Sequence, residues 1–172
     1  MIQKHLLILL TLCYTTAQAQ TKHSNTSDFP TYKGLVMAGY QGWFNAPEDG
    51  ANRGWFHYAS RGKFQPGDAK IDCWPDVTEY KKTYKTPFLH ADSSVAYVFS
   101  SYDASSVNLH FKWMQQYGVD GVFVQRFVTN IKSANSLHHN NTVLHNALDA
   151  AEKYHRAIAV MYDFSGDRKS VV

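Results

Sequence analysis

The side chains in this sequence best suited to chemistry are polar groups that follow short apolar runs. Gln41 follows Gly34-Leu35-Val36-Met37-Ala38-Gly39-Tyr40, Gln125 ends Gly121-Val122-Phe123-Val124-Gln125, and Asp163 follows Ala157-Ile158-Ala159-Val160-Met161-Tyr162. An amide both donates and accepts, and a carboxylate accepts twice, so three such groups at one mouth would hold ligand hydroxyls in either sense. Before and around the turn residue Pro87 lie Trp43, Phe44, Trp55, Phe56, His57, Tyr58, Trp74, Tyr80, Tyr84 and Phe88, interleaved with Asp49, Asp72, Asp76 and Glu79. Aromatic faces stack on the apolar faces of pyranose rings while carboxylates and amides take the hydroxyls. The same aromatics would serve equally as a small core for their own segment, because indoles favour burial with or without a ligand. The expected ligand-binding residues are therefore Gln41, Trp43, Trp55, Trp74, Asp76, Gln125, Arg126, Tyr162 and Asp163.

Other chemistries lack their residues. His139 and His145 are six apart, off the i, i+4 spacing of a zinc helix, so His138, His139 and His145 are expected to be solvated. No nucleophile elbow, phosphate-binding loop or cysteine pair for a metal is present, and neither a metal nor a cofactor is expected. Asn25-Thr26-Ser27 and Asn140-Asn141-Thr142 match the N-glycosylation pattern, which recurs often by chance.

Positioning the strand-end groups requires the apolar runs to be strands. Their near-continuous apolar character suits strands buried on both faces. Between the first two, Val107, Phe111 and Met114 recur at helical spacing with Leu109 and Trp113 beside them, after a cap at Ser105 or Ser106 and before the stop Gly118. Between the second and third, a helix starting at Asn141 or Thr142 would put Leu144, Ala147, Leu148, Ala151 and Tyr154 on one stripe. Strand, helix, strand, helix, strand implies parallel α/β pairing with right-handed crossovers. A doubly wound nucleotide-binding sheet would carry a glycine-rich turn after its first strand. Here that link is about sixty residues, Gln41 to Ala104, without that fingerprint. Long links of this kind belong at the C-terminal ends of the strands of a (β/α)8 barrel, where active sites sit. Side chains alternate along a strand, so Met37, Gly39 and Gln41 share a face, as do Phe123 and Gln125, and Ala159, Met161 and Asp163. The polar member of each set falls at the mouth, with Arg126 and Tyr162 adjacent; a register slipped by one would turn all three outward.

Composition and chain ends bound the rest. With 44% hydrophobic and 15% aromatic residues, the chain of 172 can build one sizeable core. Lys plus Arg number 17 against 14 for Asp plus Glu. Setting aside Lys4, Asp167, Arg168 and Lys169 at the two ends leaves 14 against 13. That balance offers no basic patch for nucleic acid. Residues 1–19 resemble a signal peptide: Lys4 and His5, an apolar run Leu6 to Leu12, then Ala17-Gln18-Ala19. The run is about half the ~20 residues needed to span a bilayer, so export to the periplasm or exterior is expected rather than a membrane span. Cys13 suggests lipoprotein processing, but Leu12 occupies the position that wants a small residue. Cleavage after Ala19 leaves Cys73 alone, and residues 20–31 would form a flexible mature N-terminus. Asp167-Arg168-Lys169-Ser170-Val171-Val172 is the in-frame translation of a short-read sequencing adapter. The natural chain is therefore expected to diverge after Gly166, with 32–166 forming part of a barrel that takes about 250 residues to close.

Four separated motifs carry a resemblance. Tyr32 to Phe44, Asp72-Cys73-Trp74-Pro75-Asp76-Val77-Thr78-Glu79-Tyr80, Phe99-Ser100-Ser101-Tyr102-Asp103 and Gly121 to Phe127 occur in order, with Tyr162-Asp163-Phe164-Ser165-Gly166 as a fifth. They resemble bacterial proteins grouped with glycoside hydrolase families 71 and 99, some of them labelled xylosidase or arabinosidase. The resemblance implies a (β/α)8 barrel, here its first three strands, in an exported glycosidase acting on an oligosaccharide or polysaccharide. Glycoside hydrolysis takes two carboxylates about 5 to 10 Å apart, one donating a proton to the leaving oxygen and one serving as base or nucleophile. In such relatives the acidic pair comes from later strands. Asp163 is the one weak candidate for a catalytic role, Asp76 and Glu79 come next, and a hydrogen-bonding role is expected of each. The rival expectation is a carbohydrate-binding protein on the same scaffold without the pair.

Overall fold

Three apolar runs joined by amphipathic segments have few ways to pair, and in the computed structural model, which describes residues 28–165, they pair in parallel. The elements in order are β1 (Met37–Tyr40), β2 (Tyr84–Leu89), β3 (Val95–Val98), α1 (Ala104–Gln116), β4 (Gly121–Phe127), a 3₁₀ turn (Val128–Lys132), α2 (Ala134–Tyr154) and β5 (Ala157–Asp163). One sheet has the order β1-β4-β5, all parallel, and β2 and β3 form a separate antiparallel pair. These elements belong to one unit, which among the described residues begins at Thr31; Asp28, Phe29 and Pro30 are described outside it. The expected signal peptide, its cleavage point, Asn25-Thr26-Ser27 and the segment from Gly166 lie outside the described residues.

Register sets which side chains face the helices. Ala38 stands beside Val122, Val122 beside Ile158, and Tyr40 beside Val124. Tyr40, Val122 and Val124 are buried with Val107 and Phe111 of α1 and Val143, Ala147, Ala150 and Ala151 of α2, and Ala38 and Ile158 pack at the margin. Each large apolar side chain so buried contributes about 1.5–3 kcal/mol. Gly121 is obligatory where β4 starts against β5, because a Cβ there would sit 2.2 Å from the Ala157 carbonyl oxygen. Outer edges remain: among the described residues no strand pairs with the far side of β1 or β5. On β5, Val160, Met161 and Tyr162 are exposed. No helix among the described residues is long and apolar enough to cross a membrane.

Both helices begin earlier than their sequence signals suggest. α1 is entered at Asp103 rather than Ser105 or Ser106, yet the Asp103 carboxylate makes no capping bond. Lys82 Nζ and the Tyr84 hydroxyl occupy it instead, at 2.9 and 2.7 Å, tying the β2–β3 pair to the start of α1. Gly118 ends α1 as expected, at φ +76°. α2 starts at Ala134, seven residues before the expected Asn141, with the Ser133 hydroxyl accepting from the Ser136 amide. The added turns are polar in sequence and have no intrinsic helical stripe. Burial of His139 supplies their anchor, so the stripe runs His139, Val143, Ala147, Ala150 and Ala151, while Leu148 of the expected stripe is exposed.

The segment between β1 and α1, read as a long loop, folds on a core of its own. Ala46, Tyr58, Phe64, Tyr84 and Val98 are buried together, flanked by Phe44, Trp55, Trp74 and Phe88. Pro87, read as a turn, stands inside β2 where the pairing with β3 shifts register between Lys85 and Leu89. A proline has no amide to donate and is tolerated at such an irregularity.

Candidate functional site

Gln41, Gln125 and Asp163 meet. Parallel pairing puts Gly39 beside Phe123 and Phe123 beside Ala159, so the alternate residues ending in these three groups lie on the face turned away from the helices. Gln41 Nε2 donates to Gln125 Oε1 at 2.8 Å, and Gln125 Nε2 donates to Asp163 Oδ2 at 2.5 Å. Asp163 Oδ1 accepts the Ser165 amide at 2.7 Å. Hydrogen bonds from Ser165, and then from Gln125, hold the Asp163 carboxyl below the usual carboxylate range. It is therefore ionised at neutral pH and acts as an acceptor, not as a proton donor.

Beside this chain of amides opens a cleft of about 250 Å³ lined by Gln41, Trp43, Arg53, Phe56, His57, Gln125, Phe127, Thr129, Asn130 and Asn140. β4 runs two residues past the expected Gln125, and the extra turn of alternation brings Phe127 to the cleft. The Trp43 indole stacks with His57 at 4.0 Å between ring centres and with Phe127 at 6.0 Å, both nearly parallel. His57 holds φ +64° and Asn52 φ +54°, left-handed values that cost non-glycine residues on the order of 1 kcal/mol each. Packing over-determines them: the Arg53 guanidinium lies 3.6 Å over the Phe56 ring, and His57 is pinned on Trp43. Burial, then the charges of Lys70 and Arg53, push His57 down to about 4, so the imidazole is neutral at neutral pH.

A buried polar network fixes Trp43. Asp49 accepts from Asn45 Nδ2, the Ala46 and Ala51 amides and the Ser100 hydroxyl, at 2.7–3.1 Å. Asn45 Nδ2 also lies 3.0 Å from His139 Nδ1, whose Nε2 lies 2.9 Å from the Gly42 carbonyl oxygen. The neutral tautomer with the proton on Nε2 satisfies both contacts. Burial foremost, with a further push from Arg53, lowers His139 to about 4. Gly42, at φ +56°, lets the chain pass α2, since a Cβ would meet Val143 Cγ1 at 2.5 Å. The expectation of a solvated His139 is thus corrected: it is fully buried, because α2 begins early enough to lay it under residues 42–45. His138 is exposed and contacts the Tyr102 hydroxyl at 2.9 Å, and His145 is exposed beside Asp149.

Not every expected residue joins the cleft. Trp55 packs on Phe64, and Trp74 stacks with Phe64 and Phe88 while its indole N–H donates to the Tyr97 carbonyl at 2.9 Å. Both serve the loop's own core, and Trp55 also lines a second hollow that adjoins the cleft at Arg53, Phe56 and His57. Asp76 is exposed and accepts the Thr78 amide at 2.9 Å, which lowers its pKa. Glu79 accepts from the Trp113 indole at 3.0 Å, outside the cleft. Arg126 lies on the helix-facing side of β4 and donates to Asn141 Oδ1 at 2.7 Å. Tyr162, also of the helix-facing parity, is exposed. Absent from the expected set are Arg53, Phe56, His57, Phe127, Thr129, Asn130 and Asn140. Thr129 and Asn130 were findable, because residues just past a strand's C-terminal end line the mouth of such a sheet. Among the described residues no three His, Cys, Asp or Glu side chains converge as around a metal ion. Compared with family models, curated proteins and solved structures, the chain has no significant match.

Proposed function

We propose that this chain carries the first three strands of a (β/α)8-barrel glycoside hydrolase, exported and acting on O-glycosidic bonds of an oligosaccharide or polysaccharide. One observation carries the reading: the Gln41–Gln125–Asp163 chain stands at the C-terminal ends of three adjacent parallel strands, beside a cleft walled by Trp43, His57 and Phe127. Amides and an ionised carboxylate match the mixed donors and acceptors of sugar hydroxyls, and the aromatic wall matches the apolar ring face. The outer edges of β1 and β5, unpaired among the described residues, with exposed Met161 and Tyr162, leave room for further strands. The resemblance of five sequence motifs to glycoside hydrolase families 71 and 99 supports this reading.

A second reading is favoured by the lining itself. No carboxylate lines the cleft among the described residues, and Asp163 reaches it only through Gln125. Glycoside hydrolysis in most families uses two carboxylates. A carbohydrate-binding protein on the same scaffold needs none. Assaying the full-length protein on aryl glycosides and oligosaccharides of varied linkage separates the two. Hydrolysis supports the enzyme, binding without turnover supports the binding protein, and neither binding nor turnover refutes both.

A further inference from the structure

The cleft holds a cation, Arg53, that makes no ion pair among the described residues. Arg53 is half-buried, and its guanidinium Nη1 donates to Asn45 Oδ1 at 3.0 Å while one flat face is covered by Phe56. Among the described residues no carboxylate lies within ion-pair distance of it. Asp49, the nearest acidic group in the network, is one residue removed through Asn45 and is fully engaged by Ala46, Ala51, Asn45 and Ser100. A second hollow of about 390 Å³ adjoins the first through the shared residues Arg53, Phe56 and His57, and is lined further by Trp55 and Lys70 among others. Neither hollow is lined by an acidic residue. Two cations, Arg53 and Lys70, thus act on the neutral His57, and the nearest carboxylate, Asp49, stands behind Asn45 rather than on the wall.

A half-buried guanidinium loses hydration that a ligand must replace. Burial, only partly offset by Asp49, pulls Arg53 down to about 10, so it stays charged at neutral pH but is poorly solvated. Its remaining N–H groups present a fork suited to two oxygens of one anionic group. The cleft therefore combines the hydroxyl-binding amides of Gln41 and Gln125 with the positive charge of Arg53. Nothing in the recognition of a neutral sugar requires that charge.

We propose that the saccharide bound here is acidic, and that Arg53, supported by Lys70, receives its anionic substituent, the carboxylate of a uronic acid or a sulfate ester. The inference rests on the saccharide reading of the cleft and names the class of sugar. Thr129, Asn130 and Asn140 stand on the same wall to bind neighbouring hydroxyls. Carboxylate and sulfate share the oxygens that the guanidinium binds and differ in shape.

The test is titration calorimetry of the full-length protein with three oligosaccharide sets of matched length: neutral, uronate-containing and sulfated. The expected result is binding of one acidic set about tenfold tighter than the neutral set, weakening as salt is raised. Which acidic set wins identifies the substituent. Arg53→Gln should bring acidic and neutral affinities within about twofold, and Arg53→Lys should keep part of the preference. Arg53→Gln also removes a partner of Asn45, so Lys70→Gln, at an exposed position, provides an independent variant that should reduce the preference about twofold to threefold without altering the fold. Neutral sugars bound as tightly as acidic ones would overturn the inference and leave the saccharide reading standing. No binding of any set would overturn both.

Discussion

Two aromatic clusters built from the same residue types do opposite work in this molecule. Trp55, Tyr58, Phe64, Trp74 and Phe88 pack on one another as a core, with the Trp74 indole N–H spent on a backbone carbonyl and Trp55 alone of them also reaching the second hollow. Trp43, Phe56, His57 and Phe127 stand round an opening, among amides and a cation. The difference lies in what each cluster stands on. The first closes over the β2–β3 pair, whose far side needs covering; the second stands at the C-terminal mouth of the parallel sheet, where strand ends hold side chains apart. Aromatic content identifies neither role, but position relative to a strand end does.

Substitutions should separate the clusters, and the largest effects belong to the enclosed one. Phe64→Ala should cost about 3–5 kcal/mol, read in a denaturant melt, and it should change saccharide affinity only as far as it unfolds the chain. A smaller stability loss at Phe64 than at Trp43 would reverse the assignment of the clusters.

Acid should come next. His139 and His110 are lowered from 6.5 to about 4 by burial; His110 is held between the Tyr40 and Tyr80 hydroxyls at 2.9 and 2.7 Å. Because their folded values lie below the unfolded one, the unfolded chain binds more protons between these limits. Their contribution is complete above pH 6.5 and is lost as pH falls toward about 4. Each can contribute at most on the order of 3 kcal/mol. Melting followed from pH 7.5 to 4 should show this decline, and His139→Leu should flatten part of it while costing about 2–3 kcal/mol for the orphaned Asn45 and Gly42 groups. A pH-independent melt would contradict the buried neutral imidazoles.

Trp43→Ala should weaken saccharide binding more than tenfold with a stability loss of about 1–2 kcal/mol, reversing the pattern at Phe64. At the small end, Lys112→Ala breaks an exposed pair with Glu79 at 3.4 Å and should change stability by less than about 0.5 kcal/mol. A larger loss there would mean that the outer face of α1 carries weight not visible in its contacts.

Local pattern made the parallel core legible. The three apolar runs, the stop at Gly118 and the alternation that brings Gln41, Gln125 and Asp163 together follow from period and punctuation, since one face of each strand must go to the helices. What the pattern hid was tertiary. The early start of α2 depends on His139 finding Asn45 and Gly42, more than ninety residues back, and no stripe in its own sequence announces that. The β2–β3 pair was masked by Pro87, which marks a turn locally but occupies an irregular position in the ladder. Arg53 and His57 reach the cleft on a segment with left-handed residues at Asn52 and His57, a path that propensity alone does not choose. Trp55 and Trp74 could be assigned to core or cleft only once their neighbours were known.

The central claim is that the mouth of the β1-β4-β5 sheet binds saccharide through the Gln41–Gln125–Asp163 chain and Trp43. Its most direct test is a calorimetric titration of full-length wild-type protein, Asp163→Asn and Trp43→Ala with one oligosaccharide that the wild type binds, each variant first shown to melt cooperatively. The account predicts that both variants lose more than about tenfold in affinity. Unchanged affinity in both would contradict it.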